Sequence, residues 1–270
     1  NNIKLSHKGG LVGDTNLVLL GDVPIQMFGD KTLLVLKGGM EMATGAVTNK
    51  TYVTIDCNGF KELGVDAEVL FSRTMLEPVD SAYNPIAGDS RVTAKFKAVV
   101  GNWNDILIEI SLPTFQLTKH PGYCFELNKA VIDMSDLRKS SNIDWPKDDE
   151  KDYLVPGNEK LWRGFYVQSL KLVLPSQFKK KGTNERITFQ ATNLLIDRMG
   201  VSGVFSGDNI LNINEGNASG WQFSVNHIEL GFRANSLVSA GFNGGIVLPV
   251  SSGQCTSDAR GELGYTALFN

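Results

Sequence analysis

The sequence lacks the residue patterns that identify common enzyme classes and metal centres. It has only three histidines and three cysteines among 270 residues, and neither set has the spacing of a metal site or of a disulfide framework. A Gly-x-Ser-x-Gly elbow, a phosphate-binding loop and a His-Glu-x-x-His motif are all absent from the sequence. We therefore expect a protein that is not an enzyme and that needs no organic cofactor.

Long apolar runs and an excess of charge of one sign are also missing. No stretch of about 18 apolar residues occurs, so we expect no membrane span. The formal net charge is -3, and the one dense basic cluster, Lys179-Lys180-Lys181, precedes a glycine, which is typical of a solvated turn. Nucleic acid is therefore not an expected partner.

Helical periodicity is almost absent, and residues 134–140 are the only short helical candidate. Instead, runs of β-branched and aromatic residues such as Thr51–Asp56 precede turn dipeptides such as Asn58-Gly59. Over residues 65–71, apolar and polar residues alternate, as in a half-buried strand whose odd-numbered side faces inward. The sequence predicts an all-β fold, either an antiparallel β-sandwich or tandem β-sandwich-like units, with almost no helix.

One stretch of the sequence occurs twice. Phe125–Asp133 and Phe189–Asp197 have Phe and Ile-Asp at the same spacing, and each follows an apolar run that ends in Leu-Pro, at Pro113 and at Pro175. A third Leu-Pro ends at Pro249. This pattern predicts a β unit that is used more than once, although two strands of ordinary composition also agree by chance.

The predicted repeats are residues 104–166 and 167–234, followed by a third unit that is cut at Asn270. Because the chain begins with Asn1 and has no basic and apolar leader, we expect a processed chain or a piece of a longer protein.

A proline-rich stretch gives the best candidate for a domain boundary. Pro78 and Pro85 lie close together before Gly88-Asp89, and prolines resist regular strand pairing. We therefore predict an N-terminal β module over residues 1–90 and a β region over 91–270 that contains two weakly repeated units and a truncated third. One large β-sandwich over the whole chain is the alternative.

The segment from 133 to 163 breaks the strand pattern, because it is charged and contains two prolines. Long irregular segments in compact domains often cover an edge or bind something. Trp145, Tyr153, Trp162 and Arg163 therefore form a candidate ligand-binding set, since aromatic rings are the usual platforms for sugars. The alternative is that the same rings anchor the segment onto the sheet.

The same segment is rich in acids, and this suggests a metal site. Asp144, Asp148, Asp149 and Asp152 supply the oxygen ligands that calcium takes, so calcium is a candidate ligand. The set does not match an EF-hand loop, and a solvated acidic loop is the alternative.

These observations favour a non-catalytic structural or adhesive β module of a larger secreted or surface-associated protein. Its expected partners are other protein modules of that assembly, or surface glycans, and its expected location is extracellular or on the cell surface. A carbohydrate-binding or glycosidase-like β domain is the first alternative, with Asp66 and Glu68 as an example of a carboxylate pair on one strand face. A domain of a secreted effector or toxin is the second.

Overall fold

The computed structural model of the chain describes residues 4–7, 9–27, 32–43, 46–102, 105–140, 142–145, 159–179, 185–218, 220–247 and 262–269. These ranges contain eighteen strands, one 3-10 turn at Glu159–Leu161 and no α-helix. The prediction of an all-β, antiparallel fold with almost no helix is confirmed. Residues 134–140, the helical candidate, form bends and irregular backbone instead.

In chain order the strands are β1 (Thr15–Val18), β2 (Val23–Met27), β3 (Thr32–Leu36), β4 (Met40–Ala43), β5 (Ala46–Asn49), β6 (Tyr52–Asp56), β7 (Gly59–Leu70), β8 (Leu76–Pro78), β9 (Thr93–Asn102), β10 (Asp105–Ser111), β11 (Phe115–Leu117), β12 (His120–Asp133), β13 (Gly164–Val173), β14 (Thr188–Asp197), β15 (Gly200–Ala218), β16 (Trp221–Arg233), β17 (Ser236–Val247) and β18 (Glu262–Phe269).

Sixteen of these strands form one sheet. Its path runs β1-β6-β7-β9-β10-β12-β13-β14-β15-β16-β17-β18, while β2 and β3 join it beside β7, and β8 and β11 join it beside β12. Strands β4 and β5 form a separate hairpin. From β12 onward each strand pairs with the next one in the chain, so this part of the sheet is a simple meander of local connections.

The sheet places the two sequence copies on either side of one strand. Phe125 of β12 and Phe189 of β14 both pair with Leu172 of β13, and Asp133 and Asp197 both pair with Gly164. Strands before and after residue 90 also pair directly, through β7 and β9. The division into domains and the origin of the repeat in a duplication stay predictions.

Three neighbouring strands each carry one extra residue in the same row of the sheet. The ladders between these strands have no pair at Lys129 of β12, Gln168 of β13 or Asn193 of β14. On both sides of these positions, β12 and β13 are paired in the same register. Lys129 and Asn193 have positive φ angles of 44° and 49°. An extra residue in a strand makes two neighbouring side chains point to one side, so the alternation shifts by one.

This shift keeps one side of the sheet apolar along its whole length. On β12 the apolar positions are odd-numbered before Lys129, at Phe125 and Leu127, and even-numbered after it, at Ala130 and Ile132. Paired residues of neighbouring strands share a side of the sheet. One cross-strand row of this side is Val65, Ala98, Ile108, Ile132, Phe165, Ile196 and Val201. A second row is Phe125, Leu172, Phe189, Gly207, Ile228, Phe242 and Ala267. We call this side the apolar face and the opposite side the polar face.

Two clusters of buried side chains lie on the polar face. Val131, Tyr166 and Leu195 are neighbours on β12, β13 and β14, and Ile143 and Trp162 of the irregular segment pack over them. A second cluster on the same side contains Cys124 and Val173, which pack against Val79. The chain therefore covers the polar face with its own loops.

Candidate functional site

The apolar face is open in the described part of the chain. Leu170, Phe189, Leu230 and Phe242 lie on this face on four different strands, and each is between 38% and 42% exposed. By contrast, Tyr166 on the polar face is 0% exposed because the irregular segment covers it. On the apolar face itself Val167 and Ala130, which pair with each other, are 1% and 2% exposed, so this face is open at its bulkier side chains and closed at the smaller ones between them.

The composition of the apolar face determines what it is suited to bind. The two rows that cross the sheet contain only Ala, Val, Ile, Leu, Phe and one glycine, so they offer neither a charged group nor a side-chain hydrogen bond. Contiguous exposed apolar surface of this kind is typical of an interaction site. Sugars need polar groups around their hydroxyls, so this face is suited to another apolar surface.

A network of charged groups lies at one end of the strands, on the polar face. Arg138 donates to Asp105 from Nε at 2.7 Å and from Nη2 at 2.5 Å, and from Nη1 to Glu62 at 2.9 Å. Tyr52 donates its hydroxyl proton to the other oxygen of Glu62. Ser135 donates to Asp105 at 2.6 Å. The network therefore connects β6, β7, β10 and the start of the irregular segment.

Two glycines make room for this network. A Cβ atom at Gly64 would overlap the ring of Tyr52, and one at Gly101 would overlap the carboxylate of Asp105. Neither glycine has a positive φ. The space that each leaves is therefore what allows the neighbouring polar side chain to lie flat against the sheet.

Burial changes the ionisation of the acids near the network. Asp133 is 1% exposed, and this burial raises the pKa of its carboxyl to about 6, although the Ser135 amide donates to it. Asp105 is equally buried, but its hydrogen bonds from Arg138 hold its pKa below the usual range against the effect of burial. Burial, followed by the bond to Glu62, raises the pKa of Tyr52 to about 12. At neutral pH Tyr52 is therefore a neutral phenol, and the Arg138 guanidinium is hydrogen-bonded to the carboxyl groups of both Asp105 and Glu62.

A polar cavity of about 430 Å³ adjoins the network through Tyr52 and Glu62. The residues that line it come from β1, β5, β6, β7 and the turn before β1, and they are Asp14, Asn16, Val47, Thr48, Asn49, Tyr52, Thr54, Lys61 and Glu62. Thr54 donates to Asn16 at 2.8 Å and Lys61 pairs with Asp14 at 2.5 Å. Its size and lining fit a small polar ligand such as a sugar ring.

Of the predicted ligand-binding residues of the irregular segment, Trp145, Trp162 and Arg163 do not line this cavity. Trp162 is 7% exposed, donates its indole N–H to Asp197 at 2.8 Å and packs edge to face on Trp145, with ring centroids 5.0 Å apart. Arg163 forms an exposed ion pair with Asp136. Tyr153 lies outside the described residues. The two tryptophans therefore hold the segment on the sheet, and the ligand-binding prediction for the set stays a prediction.

The predicted calcium ligands are only partly described. Asp144 is exposed and accepts a hydrogen bond from Gln168 at 2.9 Å. Asp148, Asp149 and Asp152 lie outside the described residues. In the part of the chain that the structure describes, no group of three or more His, Cys, Asp or Glu residues could hold a metal ion.

Sequence reasoning missed the network and the cavity. Tyr52, Glu62, Asp105 and Arg138 lie on four segments that only the sheet brings together, and no short motif marks them. The sequence does indicate the apolar face on β7, because Val65, Ala67 and Val69 alternate there with polar residues. That alternation predicts the inward side of a half-buried strand, and in the structure Ala67 is 4% exposed while Val65 and Val69 are partly buried.

Comparison with known proteins gives no match: no family model, no curated protein and no solved structure matches this chain. Within the described ranges, no helix has the length and apolar character needed to cross a bilayer.

Proposed function

We propose that the chain is a non-catalytic structural β module of a larger secreted or surface-associated assembly, and that it joins its partner through the apolar face. The observation that carries this proposal is the set of bulky apolar side chains that the described chain leaves exposed on this face, which are Leu170, Phe189, Ile196, Leu230 and Phe242. A sheet with one apolar side normally buries that side against another layer.

The energetic argument supports a partner. Full burial of a Leu or Phe side chain contributes about 1.5 to 3 kcal/mol, so covering the open part of even a few side chains of this size stabilises an interface by several kcal/mol. Left in water, the same surface is an aggregation liability. In an assembly, the apolar face has a function, because it binds the partner. A soluble enzyme with an internal site would not need an exposed apolar face.

The proposal is tested with the fluorescent dye 1-anilinonaphthalene-8-sulfonate, which binds exposed apolar surface. A monomeric sample of the chain, at the lowest measurable concentration, is expected to bind the dye. Replacing Leu170 or Leu230 by Lys on the apolar face should reduce the signal, whereas Leu268→Lys is the matched control. Leu268 is 76% exposed and pairs with Gly241, which places it on the polar face beside Glu229. A folded monomer that binds no dye contradicts the proposed role.

A carbohydrate-binding or carbohydrate-active function is the second candidate, and the polar cavity favours it. Tyr52 supplies an aromatic ring there, while Asn16, Glu62 and Lys61 supply donors and acceptors for hydroxyl groups. The test is a glycan panel with the wild-type chain, with Tyr52→Ala and Glu62→Gln, and with Trp221→Phe as an exposed aromatic control. This candidate is supported if the wild-type chain and Trp221→Phe bind a glycan, whereas Tyr52→Ala and Glu62→Gln do not. Hydrolysis that Glu62→Gln abolishes would instead make the chain an enzyme and contradict the structural role.

A further inference from the structure

We propose that the partner of the apolar face is a second copy of this chain, and that two copies pack face to face into a two-layered β-sandwich. This inference rests on the proposed structural role and names its partner. One copy supplies a single sheet with one apolar side. Two sheets pack with their inner faces about 10 Å apart and their strands roughly aligned, and this arrangement buries both apolar sides.

The area of the face is large enough for a stable dimer. Ten strands, from β7 to β18 along the sheet path, carry apolar residues on this side. At about 4.8 Å between neighbouring strands the face is roughly 43 Å wide, and the apolar positions from Phe125 to Ile132 extend it by roughly 23 Å along β12 at about 3.3 Å per residue. The product is a footprint of about 1,000 Å² per copy, which is similar in size to the roughly 800 Å² per partner of a standard interface.

The distribution of charge favours a copy as the partner. Two identical chains carry the same net charge of -3 and repel each other if charged groups come together. The rows that would meet contain no charged side chain. The ion pairs of Arg138 with Asp105 and of Lys97 with Glu41 belong to residues outside those rows. The contact between two copies is therefore free of like-charge repulsion, as a symmetric interface requires.

The shape of the face also suits a sheet of the same kind. Bulky side chains fill most of its second row and two small residues interrupt it, since Gly207 lies between Phe189 and Ile228, and Ala267 follows Phe242. Side chains of two facing sheets interdigitate where large residues meet small ones. The gaps at Gly207 and Ala267 therefore receive bulky side chains of a second copy.

The experiment is sedimentation equilibrium and light scattering of the full 270-residue chain over a range of concentrations. The expected species has twice the 29.5 kDa mass of one chain. Leu170→Lys and Leu230→Lys, alone and combined, should weaken dimerisation at least tenfold because each buries an unpaired charge in the apolar interface. Leu268→Lys on the polar face should change the dimer dissociation constant less than twofold. Circular dichroism and thermal unfolding of each variant check that it is folded.

A second measurement keeps the inference testable if the Lys variants do not fold. In a chain whose three cysteines, Cys57, Cys124 and Cys255, are replaced by Ser, a spin label at residue 242 on the apolar face and one at residue 268 on the polar face are compared by dipolar spectroscopy. A dimer through the apolar face gives the shorter distance between copies for the label at residue 242. The reverse order of distances overturns the proposed arrangement.

Two further outcomes separate this inference from the proposed function. A chain that is monomeric at all concentrations and still binds the apolar dye overturns the dimer but leaves the structural role in place. A monomer whose apolar face carries bound lipid, detected by native mass spectrometry and lipid extraction, also overturns the dimer and assigns the face to acyl chains. A monomer that binds neither dye nor lipid overturns both proposals.

Discussion

Lys129 and Asn193 lie in the same row of the sheet, on either side of Gln168, and both have a left-handed backbone conformation with φ of 44° and 49°. Each is the fifth residue of one copy of the repeated stretch. If Lys129 had the backbone of a regular strand, Phe125 and Ile132 would lie on opposite sides of the sheet, because they are seven positions apart and side chains alternate along a regular strand. The apolar face therefore depends on two residues that are themselves polar.

The backbone of Lys129 is expected to favour glycine. A left-handed conformation costs a residue with a side chain about 1 to 2 kcal/mol, and most for a β-branched residue. Lys129→Gly should therefore stabilise the chain by up to about 1 kcal/mol, and Lys129→Val should destabilise it by about the same amount. Denaturant unfolding measures both. The matched control is Lys95, an exposed residue of the regular strand β9, where the order of the two substitutions should reverse.

The carboxyl group of Asp133 should make the chain less stable as the pH rises. Burial raises the pKa of this acid in the folded state to about 6, above the 3.8 of a solvated aspartic acid side chain. The folded chain therefore holds a proton that the unfolded chain has lost between pH 4 and 6, and stability falls over that window. By pH 7 the loss from this group amounts to roughly 2 to 3 kcal/mol.

Asp133→Asn tests this assignment, because the amide carries no charge and its oxygen still accepts from the Ser135 amide. The free energy of unfolding, measured by denaturant at several pH values, should decrease less between pH 4 and 7 in the variant than in the wild type. Parallel pH curves for the two chains would show that Asp133 is not the group responsible.

Removal of the Arg138 guanidinium should be strongly destabilising. Its partner Asp105 is 1% exposed, so Arg138→Met leaves a buried carboxylate without its cation. The expected loss is about 3 kcal/mol in chemical denaturation. The double variant Arg138→Met with Asp105→Asn removes the unpaired charge and should recover part of that loss. A double variant that is as unstable as the sum of both single variants contradicts a pairwise role.

The indole of Trp162 should act as an anchor of the irregular segment. Trp162→Phe loses the hydrogen bond to Asp197 and part of the packing on Trp145, so we expect a loss of about 2 kcal/mol in the free energy of unfolding. Trp221→Phe is the control, because Trp221 is 45% exposed, and it should change stability by less than about 0.5 kcal/mol. Equal effects of the two substitutions would contradict the anchoring role.

The class of fold was predictable because it depends on local patterns. Thr51–Asp56 and the turn at Asn58-Gly59 predicted a strand and a hairpin, and β6 and β7 pair around that turn. The equal spacing of Phe125 and Phe189 from their Ile-Asp pairs reflected equal positions on β12 and β14. Such signals lie within a few residues of one another.

The candidate site was less predictable because it depends on register. Arg138 and Glu62 are 76 positions apart, and only the pairing of the intervening strands brings them within 2.9 Å. The alternation of Val65 and Ala67 with Asp66 showed which residues share a side. It did not show whether that side is covered, because coverage depends on what else packs there.

The shared row of extra residues also has a consequence for how the sequence can change over time. Deletion of Lys129 alone would remove the extra residue together with its shift of the alternation, so Phe125 and Ile132 would keep their side of the sheet, but Gln168 would lose the residue opposite it in β12. Deletion of Gln168 alone would likewise leave Lys129 and Asn193 without an opposite residue in β13. A change of length in one of these strands therefore creates a bulge against its neighbour, and a matching change in the neighbouring strand removes that bulge.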